Sequence, residues 1–213
     1  MDKDLNEKYS EDNASDGVAL SAEEEPKPSL LNEVLQLLAY ILAIFVITFL
    51  ILHFVGQRTE VSGSSMEDTL SDGDNLIVEK ISYRFTDPKR FDIIIFPYKY
   101  SEEPTYYIKR IIGLPGETIY IDPDGNIFID GELLEENYGL ATILNPGRAA
   151  TPITLGEDEY FVMGDNRNGS EDSRFNDVAN IKREDIVGRA WVRIYPFDEI
   201  CVLDHDYVGE HAR

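Results

Sequence analysis

Cysteine is nearly missing from these 213 residues: Cys201 stands alone. A lone thiol excludes an internal disulfide framework and a cysteine-based metal cluster, and it reads as a small core residue in a strand. Histidine is scarce, and His53, His205 and His211 fall into no metal-ligand spacing. Positive charge is short as well, with 19 Lys and Arg against 41 Asp and Glu, a net charge of −22. That balance argues against a nucleic-acid partner, because a phosphate backbone needs a Lys/Arg surface. Internal repeats are lacking too. What is present is apolar residues, 43% of the chain, enough for one ordinary domain with a buried core plus an appendage.

The appendage lies at the N-terminus. Residues 1–33 carry ten Asp/Glu against three Lys without periodicity. Such a stretch cannot bury apolar surface and is expected to be a disordered tail. Residues 34–55 then run for 22 residues with no Asp, Glu, Lys or Arg. As a helix rising about 1.5 Å per residue, this run spans a hydrocarbon core of roughly 30 Å. It starts too late and runs too long for a cleaved leader. Lys3, Lys8 and Lys27 on one side, with Arg58 nearest on the other, lean toward an N-terminus on the cytoplasmic side.

Residues 56–213 read as mainly antiparallel β structure. Apolar, β-branched runs recur at 75–78, 92–96, 105–112, 118–121, 127–129, 160–163, 187–194 and 200–203, separated by turn residues. Asp124-Gly125 and Asp130-Gly131 bracket 126–129, which is a hairpin signal. A short helical turn is expected near 66–70.

Three segments could carry chemistry. In Val61-Ser62-Gly63-Ser64-Ser65-Met66-Glu67-Asp68-Thr69-Leu70, small residues crowd around Ser65 and open its backbone to another chain; alone, the stretch reads as a Ser/Gly linker after the apolar run. In Tyr106-Tyr107-Ile108-Lys109-Arg110-Ile111-Ile112, a lysine sits inside an apolar strand. Alternation puts Tyr107, Lys109 and Ile111 on one face and Ile108, Arg110 and Ile112 on the other, so one cation must face inward or be covered. Burying Lys109 would lower its pKa, and a drop of ~3 units would leave a neutral amine near pH 7. In Gly164-Asp165-Asn166-Arg167-Asn168-Gly169-Ser170-Glu171-Asp172-Ser173-Arg174, the calcium-loop spacing is absent and arginines intervene. An Asp–Arg network that pins a loop is expected instead.

In this order, behind one apolar span, the three segments resemble bacterial type I signal peptidases. The family pattern S-M-x-P-T-L is met at 65–70 with Asp68 in place of proline. The patterns K-R-x-x-G-x-P-G-[DE] and G-D-N-R-x-x-S-x-D-S-R are complete at 109–117 and 164–174. Family-like stretches also occur at 72–74 and 188–191, and Asp177 stands where glycine is common. The resemblance implies Ser65 as nucleophile and Lys109 as general base. It makes Ser170 the residue that hydrogen-bonds and orients the lysine, with Asp172 and Arg174 bracing the site. The Ser65 backbone N–H becomes an oxyanion donor. Where part of the family has a serine as second donor, this chain has Gly63.

The activity so implied is removal of N-terminal signal peptides from secretory preproteins bound as extended peptides, with no metal or other cofactor. The enzyme would be a single-pass protein of the cell membrane, lodged in the lipid bilayer. Residues 1–33 would be a cytoplasmic tail, 34–55 the span, and 56–213 the catalytic domain on the outer face. Met66, Leu70, Tyr107 and Ile108 are candidates to line shallow pockets for small side chains, or else ordinary core. Two alternatives stay open on the residues alone: a dedicated or self-cleaving Ser-Lys peptidase, and a non-catalytic membrane-tethered domain that binds peptides.

Overall fold

The structure, a computed structural model, describes residues 29–50, 56–67, 69–101, 103–139 and 141–203. The acidic stretch up to residue 28, the end of the apolar run at 51–55 with His53, Asp68, and the C-terminal His205 and His211 lie outside the described residues.

The apolar run forms helix α1, Leu30–Leu50. It begins four residues ahead of the uncharged run, because Ser29 caps it. The Ser29 carbonyl accepts from the Asn32 and Glu33 N–H groups at 2.8 and 3.1 Å, and its hydroxyl accepts from Asn32 N–H at 3.3 Å. Glu33 in the first turn suits the positive end of the helix dipole. Twenty-one residues give about 31 Å of helix, and its apolar side chains from Leu30 to Phe49 are exposed. Such a helix fits a membrane anchor.

The remaining described residues are mainly antiparallel β. In chain order the strands are β1 (Gly56–Glu60), β2 (Asn75–Glu79), β3 (Ile93–Tyr98), β4 (Thr105–Gly113), β5 (Thr118–Ile121) and β6 (Ile127–Ile129). They continue with β7 (Glu132–Leu133), β8 (Ile153–Thr154), β9 (Glu159–Met163), β10 (Ile181–Lys182), β11 (Gly188–Tyr195) and β12 (Cys201–Val202). The larger sheet has the order β1-β2-β11-β3-β4-β9-β10, with β12 added on β11; the smaller is β7-β6-β5-β8. The expected hairpin at 126–129 is present as β6, paired with β5 on one side and β7 on the other. Four strands lie outside the apolar runs. β1 is polar and mostly exposed, and β7, β8 and β10 have two residues each, too short for a period to register.

β3 and β4 form the middle of the larger sheet and are covered on both faces. Ile93, Ile95 and Ile108 pack with Val61, Met66, Leu70, Leu76 and Val78 on one side. Ile94, Phe96 and Ile111 pack with Tyr160 and Val162 on the other. This double burial is why the run Ile93-Ile94-Ile95-Phe96 lacks alternation. A third cluster, including Ile112, Ile119, Ile121 and Phe161, seats the smaller sheet. Cys201 is a free, half-buried thiol on β12, packed at the margin of the first cluster.

Pairing along β4 is uneven. β3 accompanies it from Thr105 to Arg110. β9 takes the opposite edge only from Arg110 onward. Residues 105–109 therefore offer one edge that no described strand occupies.

Candidate active site

Ser65 lies in a loop that the core holds from below. Val61, Met66 and Leu70 are buried in the first cluster, and the Leu70 N–H donates to the Met66 carbonyl at 2.8 Å, closing the expected helical turn. Gly63 bends the loop with φ +92°, a region that side chains disfavour, and its N–H donates to Asp72 Oδ1 at 2.7 Å. From above, the Asn166 N–H donates to the Ser65 carbonyl at 3.1 Å, and Asn166 Nδ2 donates to the Ser64 carbonyl at 3.1 Å. Gly164 makes this docking possible: a Cβ there would stand 2.3 Å from the Ser65 carbonyl oxygen. The Ser65 N–H itself has no acceptor among the described residues.

Lys109 reaches this loop from β4. Its Nζ lies 2.7 Å from Ser65 Oγ and donates to the Ile108 carbonyl at 3.1 Å. It also stands 4.9 Å from the centre of the Tyr107 ring. The residue is 3% exposed. Burial pushes its pKa down from 10.5 to about 8, against the pull of Asp172, Asp165 and Glu171, which favour the charged form. Those three carboxylates offset part of the lowering that burial causes.

The neighbouring cation is covered as well, at 1% exposure. Arg110 donates to both oxygens of Asp165, at 2.9 and 2.7 Å, to the Phe91 carbonyl at 2.9 Å and to Thr69 Oγ1 at 3.2 Å. Thr69 donates in turn to Asp165 at 2.5 Å, and the Tyr138 ring lies over the guanidinium, 3.6 Å away. One residue from each of the three motifs thus meets in a buried knot. Asp172 and Arg174 form a second brace, bidentate at 2.8 and 2.8 Å. The same carboxylate accepts from the Gly164 N–H at 3.1 Å, so the pair fixes the glycine against which Ser65 sits.

Ser170 is placed differently from what the resemblance implies. Its hydroxyl is buried next to Gly164 and has no hydrogen-bond partner among the described residues, Lys109 included. The lysine is oriented instead by Ser65 and by the carbonyl of Ile108.

A cleft of about 320 Å³ opens over the pair, lined by residues 59–66 and 106–109 together with Gly169 and Glu171. Its floor carries the unoccupied edge of β4. Met66, Tyr107 and Ile108 border it, whereas Leu70 is fully buried in the core and does not. No pattern in the sequence groups Thr69, Arg110, Asp165 and Asn166 together. The signal was there in part: adjacent cations on one strand point to opposite faces, and the second needed a carboxylate.

A β domain with a serine and a buried amine in contact at the foot of an open strand edge has the parts of a serine–lysine hydrolase. The chain belongs to the signal peptidase family, peptidase S26, whose model matches residues 34–195. It is 40% identical over 172 residues to the probable signal peptidase I-2 of Synechocystis, covering 79% of this chain and 74% of that protein. To signal peptidase I P of Bacillus subtilis subsp. natto it is 35% identical over 176 residues, covering 79% and 93%. A solved signal peptidase I from Enterococcus faecalis is 33% identical, with 49% of this chain and 97% of that one covered and a TM-score of 0.40.

Proposed function

We propose that this chain is a membrane-anchored serine endopeptidase that removes signal peptides from exported preproteins, with Ser65 as nucleophile and Lys109 as general base. The observation that carries the reading is the 2.7 Å contact between Lys109 Nζ and Ser65 Oγ, made by a buried lysine. While the amine is charged, it donates to the serine. Once neutral, it accepts the hydroxyl proton. The substrate lies extended in the cleft and hydrogen-bonds to the unoccupied edge of β4. Ser65 Oγ attacks the carbonyl carbon at the end of the signal peptide as its proton passes to Nζ. The oxyanion forms against the Ser65 N–H. The C–N bond breaks, Nζ returns the proton to the leaving amine, and the mature protein departs. The signal peptide stays as an ester on Ser65. Lys109 then takes a proton from water, the hydroxide adds to the ester, and the C–O bond breaks as Nζ returns the proton to Ser65 Oγ, which restores the serine and the neutral amine.

Met66, Tyr107 and Ile108 shape the space for the residues before the cut. Asp172 and Arg174 brace the loop. Residues 34–55 anchor the enzyme, residues 1–33 face the cytoplasm, and residues 56–213 work on the outer face, where substrate and enzyme share the bilayer surface.

The test is processing of a model preprotein by the full chain in detergent or liposomes, alongside Ser65→Ala and Lys109→Ala. Each substitution is expected to reduce the rate on the order of 10⁴-fold or more. Cleavage retained in both variants overturns the pairing. A wild type that cuts only itself overturns the general processing role.

A further inference from the structure

Glu60 and Glu171 are the charged side chains on the cleft wall besides Lys109. The reaction requires Lys109 to be neutral when substrate is bound, so among the described residues these two carboxylates are the charged groups of the working cleft. Both carboxylates are solvent-exposed in the free enzyme, but a peptide laid in the cleft displaces that water and strengthens whatever charge interaction it makes. Glu171 holds the more defined position. Tyr107, which borders the cleft, stacks on Tyr98 with ring centres 4.6 Å apart and planes within 7°. Its hydroxyl donates a long hydrogen bond, 3.5 Å, to Glu171 Oε2. The carboxylate is thereby tied to the wall formed by the β4 residue two positions before the base. It also adjoins Ser170 and Asp172, both buried, so the backbone beneath it is fixed.

We infer that Glu171 is a specificity-determining residue, which reads charge in the substrate segment lying along the cleft, admits neutral or cationic side chains there and rejects acidic ones. The inference rests on the proposed peptidase reading and names its substrate class more closely. Electrostatics of this kind discriminates by repelling the wrong partner as much as by attracting the right one.

The experiment uses full-length enzyme and a set of otherwise identical preprotein peptides. Each peptide carries Lys, Gln or Glu at one of the six positions flanking the cut. Values of kcat/KM are measured at about pH 9, above the Lys109 titration, at low and at high salt. At one or more positions the wild type is expected to rank Lys over Gln over Glu, with about a five-fold spread at low salt that shrinks at high salt. Glu171→Gln is expected to flatten that ranking and Glu171→Lys to invert it. Merely structural support from Glu171 would change all peptides by the same factor, and that result overturns the inference. So does a ranking that Glu171→Gln leaves intact, or one that disappears in Glu60→Gln instead. Absence of any cleavage by the wild type, or cleavage by Ser65→Ala, sinks the peptidase reading itself and is distinguishable from these outcomes.

Discussion

A lysine whose pKa is pushed down to about 8 titrates within the working range of an enzyme, and two measurable consequences follow. Cleavage needs the neutral amine, so kcat/KM is expected to rise with pH to a plateau, with its midpoint near 8. Glu171→Gln should move that midpoint to lower pH, because the carboxylate favours the ammonium. Stability carries the opposite side of the same linkage. The folded value lies below the unfolded 10.5, so between about 8 and 10.5 the unfolded chain binds more protons. The cost of burying the charge is fully present below about pH 8, at roughly 3 kcal/mol, and is relieved as the pH rises toward 10.5. Lys109→Met is therefore expected to be inactive yet more stable than the wild type at pH 7, with the gain in Tm shrinking toward pH 10. A variant whose Tm gain is equal at both values contradicts the burial argument.

The elements around the pair fix it through contacts that leave little room. A methyl group at position 164 would collide with the carbonyl of Ser65. Gly164→Ala is expected to displace the nucleophile and lower kcat roughly 10²-fold, with KM for preprotein little changed. Arg110 and Asp165 are a fully buried ion pair. Asp165→Ala orphans the guanidinium and should cost roughly 3–5 kcal/mol, read from chemical denaturation, along with most of the activity. At this scale the sequence was partly legible. β2 to β6, β9, β11 and β12 announced themselves as apolar runs between turn residues, because each packs at least one face on a core. β1 did not: its five residues, Gly56-Gln57-Arg58-Thr59-Glu60, are mostly exposed and leave no apolar period. Ser65 and Lys109 were legible through the motifs around them. The partners that hold them, such as Asn166 on the Ser65 carbonyl and Thr69 on Asp165, depend on loops 96 or more residues apart in the chain meeting in space. No local pattern encodes that meeting. Ser170 was expected to hydrogen-bond the lysine; its hydroxyl lies beside Gly164 and makes no hydrogen bond among the described residues.

Across the whole molecule, the apolar helix and the β domain follow one another closely in the chain, so anchoring and catalysis belong to one short polypeptide. In sealed vesicles of defined orientation, protease added outside should reach the β domain and spare an epitope at the N-terminus. Digestion of that epitope would reverse the proposed orientation. The uneven pairing of β4 has its own consequence. A strand laid on the open edge has a partner as far as Lys109, and from Arg110 the place is already taken by β9. A guest chain must therefore turn off the sheet beside the base. Its far portion is left hanging free of the groove, so a cargo of any bulk can trail there without being asked to fit.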